Sequence, residues 1–112
     1  MMLGERDVLT RVRRVRLQEL RLWVQEGWVR PANGDNGPRF DELDVARVRL
    51  VRDLRRDLSV PSDTVPVILS LLDQVHGLRR ELRSLAEAVD AQPEETRKAI
   101  VAAYRAVLSE QE

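Results

Sequence analysis

The chain has no cysteine. That excludes a disulfide frame, a thiolate zinc site and a thiol nucleophile together, and it suits a reducing compartment. Aromatic residues are scarce at 4%, so the expected core is aliphatic, built from Leu, Val, Ile and Ala. Neither sign of charge is in excess, with 19 Lys and Arg against 19 Asp and Glu. No apolar run reaches the ~20 residues of a membrane span. The opening stretch MMLGERDVLT meets acidic residues before a signal-peptide core could form. These absences lead to the expectation of a soluble cytoplasmic protein with no membrane partner.

Chemistry is equally sparse. No Ser–His–acid set has credible spacing, no glycine loop lies between a strand and a helix, and no carboxylate pair stands apart from the many surface acids. His76 is the single histidine, with Asp73 three residues before it. One histidine and one acid do not make a metal site. The expectation is a protein that is not an enzyme, with no catalytic residue, cofactor or metal.

What is present is helical patterning. Apolar residues are 43% and charged residues 34% of 112, the balance of amphipathic helices with solvated faces. The length allows one domain plus an extension. Val8, Leu9, Val12 and Val15 form a short helical pattern, continued by Leu17, Leu20, Trp23 and Val24. Gly27 is placed to close that second helix in a left-handed cap. Asp41, with Asp44 three residues on, reads as an N-cap with an acidic first turn. The helix after it has Leu43, Ala46, Leu50, Val51, Leu54 and Leu58 as its expected apolar face, with Arg47, Arg49, Arg52, Arg55 and Arg56 opposite. Ser59-Val-Pro-Ser breaks it, and Pro66 is tolerated as a first-turn residue of the next helix.

That next helix carries the clearest period in the chain. Ile68, Leu71, Val75, Leu78, Leu82, Leu85 and Val89 alternate spacings of three and four, an a/d seam over three heptads. It must be buried, either by the protein's own helices or by a second copy of the chain; the homodimer is the expectation. Gly77 beside the seam weakens the helix by about 1 kcal/mol against alanine. Ala91-Gln-Pro93 ends it, and Ile100, Val101, Tyr104, Val107 and Leu108 mark a last helix.

Between the second and third helices lies VRPANGDNGPRF, residues 29–40, with two of the five glycines and two of the five prolines. Asn33-Gly34 and Asn36-Gly37 are strong turn dipeptides, and Pro31 and Pro38 suit short edge strands. Two helices, a hairpin and a helix is the order of a winged helix-turn-helix. The residues resemble the MerR family, in which a helix ending "LRYYE..GLL.P" precedes a wing "GYR.Y" and a helix opening "DL..L..I..LR..G.S". Leu20 to Pro31 matches the first block, Gly37-Pro38-Arg39-Phe40 the wing, and Asp44-Val45 through Arg55 the third. The family's two aromatic positions after the first arginine are Leu22 and Trp23 here. Residues 54–85 further resemble CbpM, the chaperone-modulator branch: Leu54, Arg55, Leu58, Val60, Val65, Leu69, Leu71, Asp73, Val75, Leu78, Leu82 and Leu85 fall on its pattern.

The resemblance, which covers roughly residues 8–90, implies an all-α protein with a MerR-like winged helix-turn-helix over residues 1–60 (wing about 29–40) and a long coiled-coil dimerisation helix over 61–90; the C-terminal helical extension over 91–112 is expected from its periodicity alone. It implies a modulator that binds the J-domain of a CbpA- or DnaJ-like co-chaperone and blocks its stimulation of DnaK. The alternative is a MerR-type DNA-binding regulator, for which Arg21 and Arg39 fall on the phosphate-contacting positions. Against that alternative stands the weak charge bias: residues 1–60 hold 13 Arg and 10 acids, net +3, and residues 61–112 net −3. Glu19 and Glu26 also place negative charge on the short second helix. For a basic J-domain surface, charge complementarity favours Asp41, Glu42, Asp44, Asp53 and Asp57. Trp28 is a candidate anchor, with core packing as its alternative; Trp23 is expected in the core.

Overall fold

The computed structural model describes residues 2–111. It is mostly helical, with one two-stranded antiparallel sheet: α1 (Glu5–Arg11), α2 (Leu17–Gln25), β1 (Ala32–Gly34), β2 (Gly37–Arg39), α3 (Glu42–Arg52), a π-helical turn (Asp53–Asp57), α4 (Val65–Asp90) and α5 (Glu94–Gln111). Contacts divide the chain into two units, one ending at Leu71 and one beginning at Leu72. No helix among the described residues is long and apolar enough to cross a membrane.

The first unit holds the core. α1 starts where the Gly4 backbone N–H donates to the Asp7 carboxylate at 3.1 Å, so an orphan donor of the first turn is satisfied. It stops at Val12, and Arg14 turns the chain at φ 62°, a conformation that strains a residue with a Cβ. Interactions with the third helix region hold this turn. The Arg14 guanidinium reaches Asp57 at 3.3 Å, and Arg52 donates to the Arg13 carbonyl at 3.2 Å.

α2 ends as its glycine foretells. Gly27 has φ 79°, the Trp28 N–H bonds the Trp23 carbonyl at 2.9 Å, and the Gly27 N–H bonds Val24 at 3.1 Å. These are the two bonds of a Schellman motif. It turns Trp28 and Val29 back into the core, and Arg47 donates to the Trp28 carbonyl at 2.9 Å.

The wing pairs Ala32 with Arg39, Asn33 with Pro38 and Gly34 with Gly37. Asp35 and Asn36 form its tip, and positive φ falls on Gly37 at 112° alone. Asn33-Gly34 therefore belongs to a strand and is no turn dipeptide. Gly34 is required for space: a Cβ there would stand 2.7 Å from Arg39 Cγ. After β2 the strand direction continues for one residue, because Leu3 and Phe40 exchange backbone bonds of 2.7 and 2.8 Å. That exchange pins the N-terminal segment to the base of the wing.

α3 opens on a capping box: Asp44 N–H donates to Asp41 at 2.8 Å and Asp41 N–H to Asp44 at 2.9 Å. The buried stripe is Val45, Val48 and Val51, continued by Leu54. This corrects the expected face, since Leu43 is 80% exposed and Ala46 and Leu58 also face solvent. Apolar residues are dense enough here that two stripes fit a helical period; the cap and the packing set the rotation. The helix then widens by one π turn, with Leu58 N–H bonded to Asp53 O at 3.1 Å. Ser59 at φ 51° ends it, and the Val60 N–H reaches back to Leu54 O at 2.8 Å.

The core is not purely aliphatic. Trp23, Trp28 and Phe40 are all buried among Val8, Val12, Leu20 and the α3 valines. Three of the four aromatics thus lie in the core, where full burial of a large apolar side chain is worth about 1.5–3 kcal/mol, and Tyr104 on α5 is exposed. Val65 and Leu69 of α4 complete this cluster. In the second unit, α5 buries no residue. The chain between α4 and α5 turns at Ala91, whose N–H bonds Glu87 O at 3.0 Å, and Pro93 O caps into α5 through Arg97 N–H at 2.9 Å.

Candidate nucleic-acid interface

In a helix-turn-helix the second helix reads the groove, and cations beside it and on the wing hold phosphates. Here that helix is α2, with buried Leu20 and Trp23 fixing its rotation. Its outer face carries Gln18, Arg21, Leu22 and Gln25, all exposed.

Arg21 is not a bare cation. Its Nε donates to Glu5 Oε2 at 2.9 Å and its Nη2 to Oε1 at 3.1 Å, a two-pronged pair with α1. The guanidinium is 62% exposed and the carboxylate 22%. The hydrogen bond from Arg21 holds the Glu5 carboxyl below its ordinary range, and the Glu5 carboxylate raises Arg21 in turn. At the start of α2, Glu19 accepts from the Arg16 backbone N–H at 3.0 Å, from Arg16 Nε at 3.4 Å and from Arg56 Nη2 at 2.7 Å. Partial burial pushes Glu19 up, but the Arg16 N–H and the Arg56 charge outweigh it and the net shift is downward. Glu5 carried no signal in the sequence, since the 16-residue separation follows no local period and only the turn between α1 and α2 brings the pair together.

Arg39 lies along the wing, its Cγ over Gly34 and its Nη1 3.7 Å from the Cβ position of Gly4. No carboxylate pairs with it among the described residues.

Over residues 6–87, α1 to nearly the end of α4, the chain matches the model described as MerR HTH family regulatory protein. The chain belongs to the MerR family. No curated protein and no solved structure matches it. The MerR match ends before α5.

The acids proposed for a partner are individually engaged. Asp41 and Asp44 cap α3. Backbone bonds from Asp44 lower Asp41, whereas burial raises Asp44. Glu42 forms a two-pronged pair with Arg11 at 2.6 and 2.7 Å, which lowers it. Asp53 pairs with Arg52 at 2.9 Å and Asp57 with Arg14. Trp28 is 5% exposed; as a surface anchor it is corrected to a core residue, because the Schellman turn folds it inward. Of the seam residues, Ile68 packs partly on the first unit's core and Val89 is half-buried. Leu71, Val75, Leu78, Leu82 and Leu85 are exposed.

Proposed function

We propose that this MerR-family protein is a CbpM-type chaperone modulator that binds the J-domain of a CbpA- or DnaJ-like co-chaperone and keeps it from stimulating DnaK. It acts by stoichiometric binding and performs no catalysis. The observation that carries this reading is the pairing of Arg21 with Glu5. At the position where a MerR-type regulator needs a cation for phosphate, this chain has a neutralised one. The zero net charge of the whole chain points the same way. The spacing of Leu54, Val60, Val65, Leu69, Leu71, Val75, Leu78, Leu82 and Leu85 supports the CbpM branch. Exposed Leu71, Val75, Leu78, Leu82 and Leu85 on α4 support a homodimer as the working form.

A second reading, a DNA-binding regulator, is favoured by two observations: the family match and the unpaired Arg39 on the wing. Calorimetric titration separates the readings. Purified protein is titrated at moderate salt with the J-domain of its own organism's CbpA-like protein, and in parallel with duplex DNA. The expected result is saturable binding to the J-domain and only salt-labile binding to DNA. Sequence-specific DNA binding with a silent J-domain would establish the regulator instead.

A further inference from the structure

We propose that Glu5 and Glu19 are the residues that keep this helix-turn-helix off nucleic acid, by neutralising from behind the cations that DNA phosphates would otherwise contact. The proposal rests on the reading that α2 is not used on DNA in the native protein. The Glu5–Arg21 pair has the two-pronged geometry by which arginine takes a phosphate. Glu19 gathers the donors that a phosphate would use at the N-terminus of nine-residue α2: the Arg16 N–H, the Arg16 side chain and Arg56.

The exposures set the direction of the effect. Both carboxylates are sheltered, at 22% and 23%, while Arg21 and Arg16 face solvent at 62% and 78%. An approaching phosphate therefore meets cations that are reachable but already neutralised from behind. With Arg21 and Arg16 open to solvent the pairs are screened and add little to stability, so the carboxylates can be removed with the fold kept. Glutamine at position 19 still accepts the Arg16 N–H.

The test is binding of a non-specific 20-base-pair duplex by the full chain, followed by fluorescence anisotropy from low to moderate salt. The Glu5→Gln/Glu19→Gln variant is expected to bind about tenfold tighter at low salt. The slope of log K against log salt should steepen by about 2, one unit per phosphate gained. Adding Arg21→Gln should cut the gain to about threefold and the slope change to about 1, the share left to Arg16 and Arg56. The control is Glu26→Gln/Glu95→Gln, which makes the same change in net charge at acids that form no ion pair among the described residues. A double variant no tighter than wild type, or no tighter than this control, overturns the proposal. If circular dichroism shows the double variant unfolded, Glu5→Gln alone decides, with about threefold tighter binding and a slope change of about 1 expected. A silent J-domain titration would sink the partner reading and leave the DNA result standing. A flat DNA result beside intact J-domain binding would sink this proposal alone.

Discussion

Gly27 and Gly34 are glycines for different reasons, and the difference predicts different behaviour. At Gly27 the demand is conformational: φ is 79° and a Cβ would meet nothing within 4 Å. Gly27→Ala is therefore expected to destabilise by about 1–2 kcal/mol, the left-handed penalty of an L-residue, with no change in the wing. At Gly34 the demand is spatial, and a methyl group must displace Arg39 from its place over the strand. Urea denaturation measures the first effect. A Gly27→Ala variant as stable as wild type would mean that the Schellman turn does not hold Trp28 inward. Both glycines were recognisable as turn-forming, but the sequence could not tell strand from turn for Asn33-Gly34. That choice depends on the register Gly34 to Gly37, which the packing of Phe40 against Leu3 helps to set.

At the scale of the element, charge is spent on joining helices. Arg21–Glu5 joins α1 to α2, Arg56–Glu19 joins the π turn to α2, and Arg11–Glu42 joins α1 to α3. Glu5, Glu19, Asp41 and Glu42 are all lowered in the folded chain from ordinary values of 4.5 or 3.8. A lowered carboxylate stabilises the fold above its unfolded value, and that contribution is lost as pH falls through the folded value. Asp44 is raised by burial and has the opposite sign, stabilising in acid and losing that as pH rises. Four groups against one make stability constant around neutrality and falling below about pH 4.5. Urea midpoints at neutral pH and near pH 3 test this, and Glu5→Gln and Glu42→Gln should flatten the fall. A midpoint that does not move in acid contradicts the assignment. The acidic cluster of α3 was legible as residues. Its engagement was not, because Arg11 and Arg14 approach from 31 and 43 positions away.

For the whole molecule the question is what covers α4. Leu78 and Leu82 are 59% and 63% exposed, with Leu71, Val75 and Leu85 on the same seam. A contiguous exposed apolar stripe is the kind of surface on which protein partners dock. We predict that the protein sediments as a homodimer at micromolar concentration and that Leu78→Glu/Leu82→Glu sediments as a monomer with its far-UV spectrum retained. A wild-type monomer at that concentration would show that the seam serves another partner.

The sequence alone determined the order of the elements, the caps at Asp41 and Gly27, the position of the wing and the likeness to the MerR family. Each follows from local stereochemistry or from a period along one helix. The tertiary structure decided which stripe of α3 faces the core, that Trp28 is buried, and that Arg21 belongs to Glu5. Each of these depends on how one element is rotated against another, and that rotation is the outcome of packing among Phe40, the tryptophans and the α3 valines. The family was readable from residues in a line; the state of its cations became readable only once α1, α2 and the π turn lay side by side.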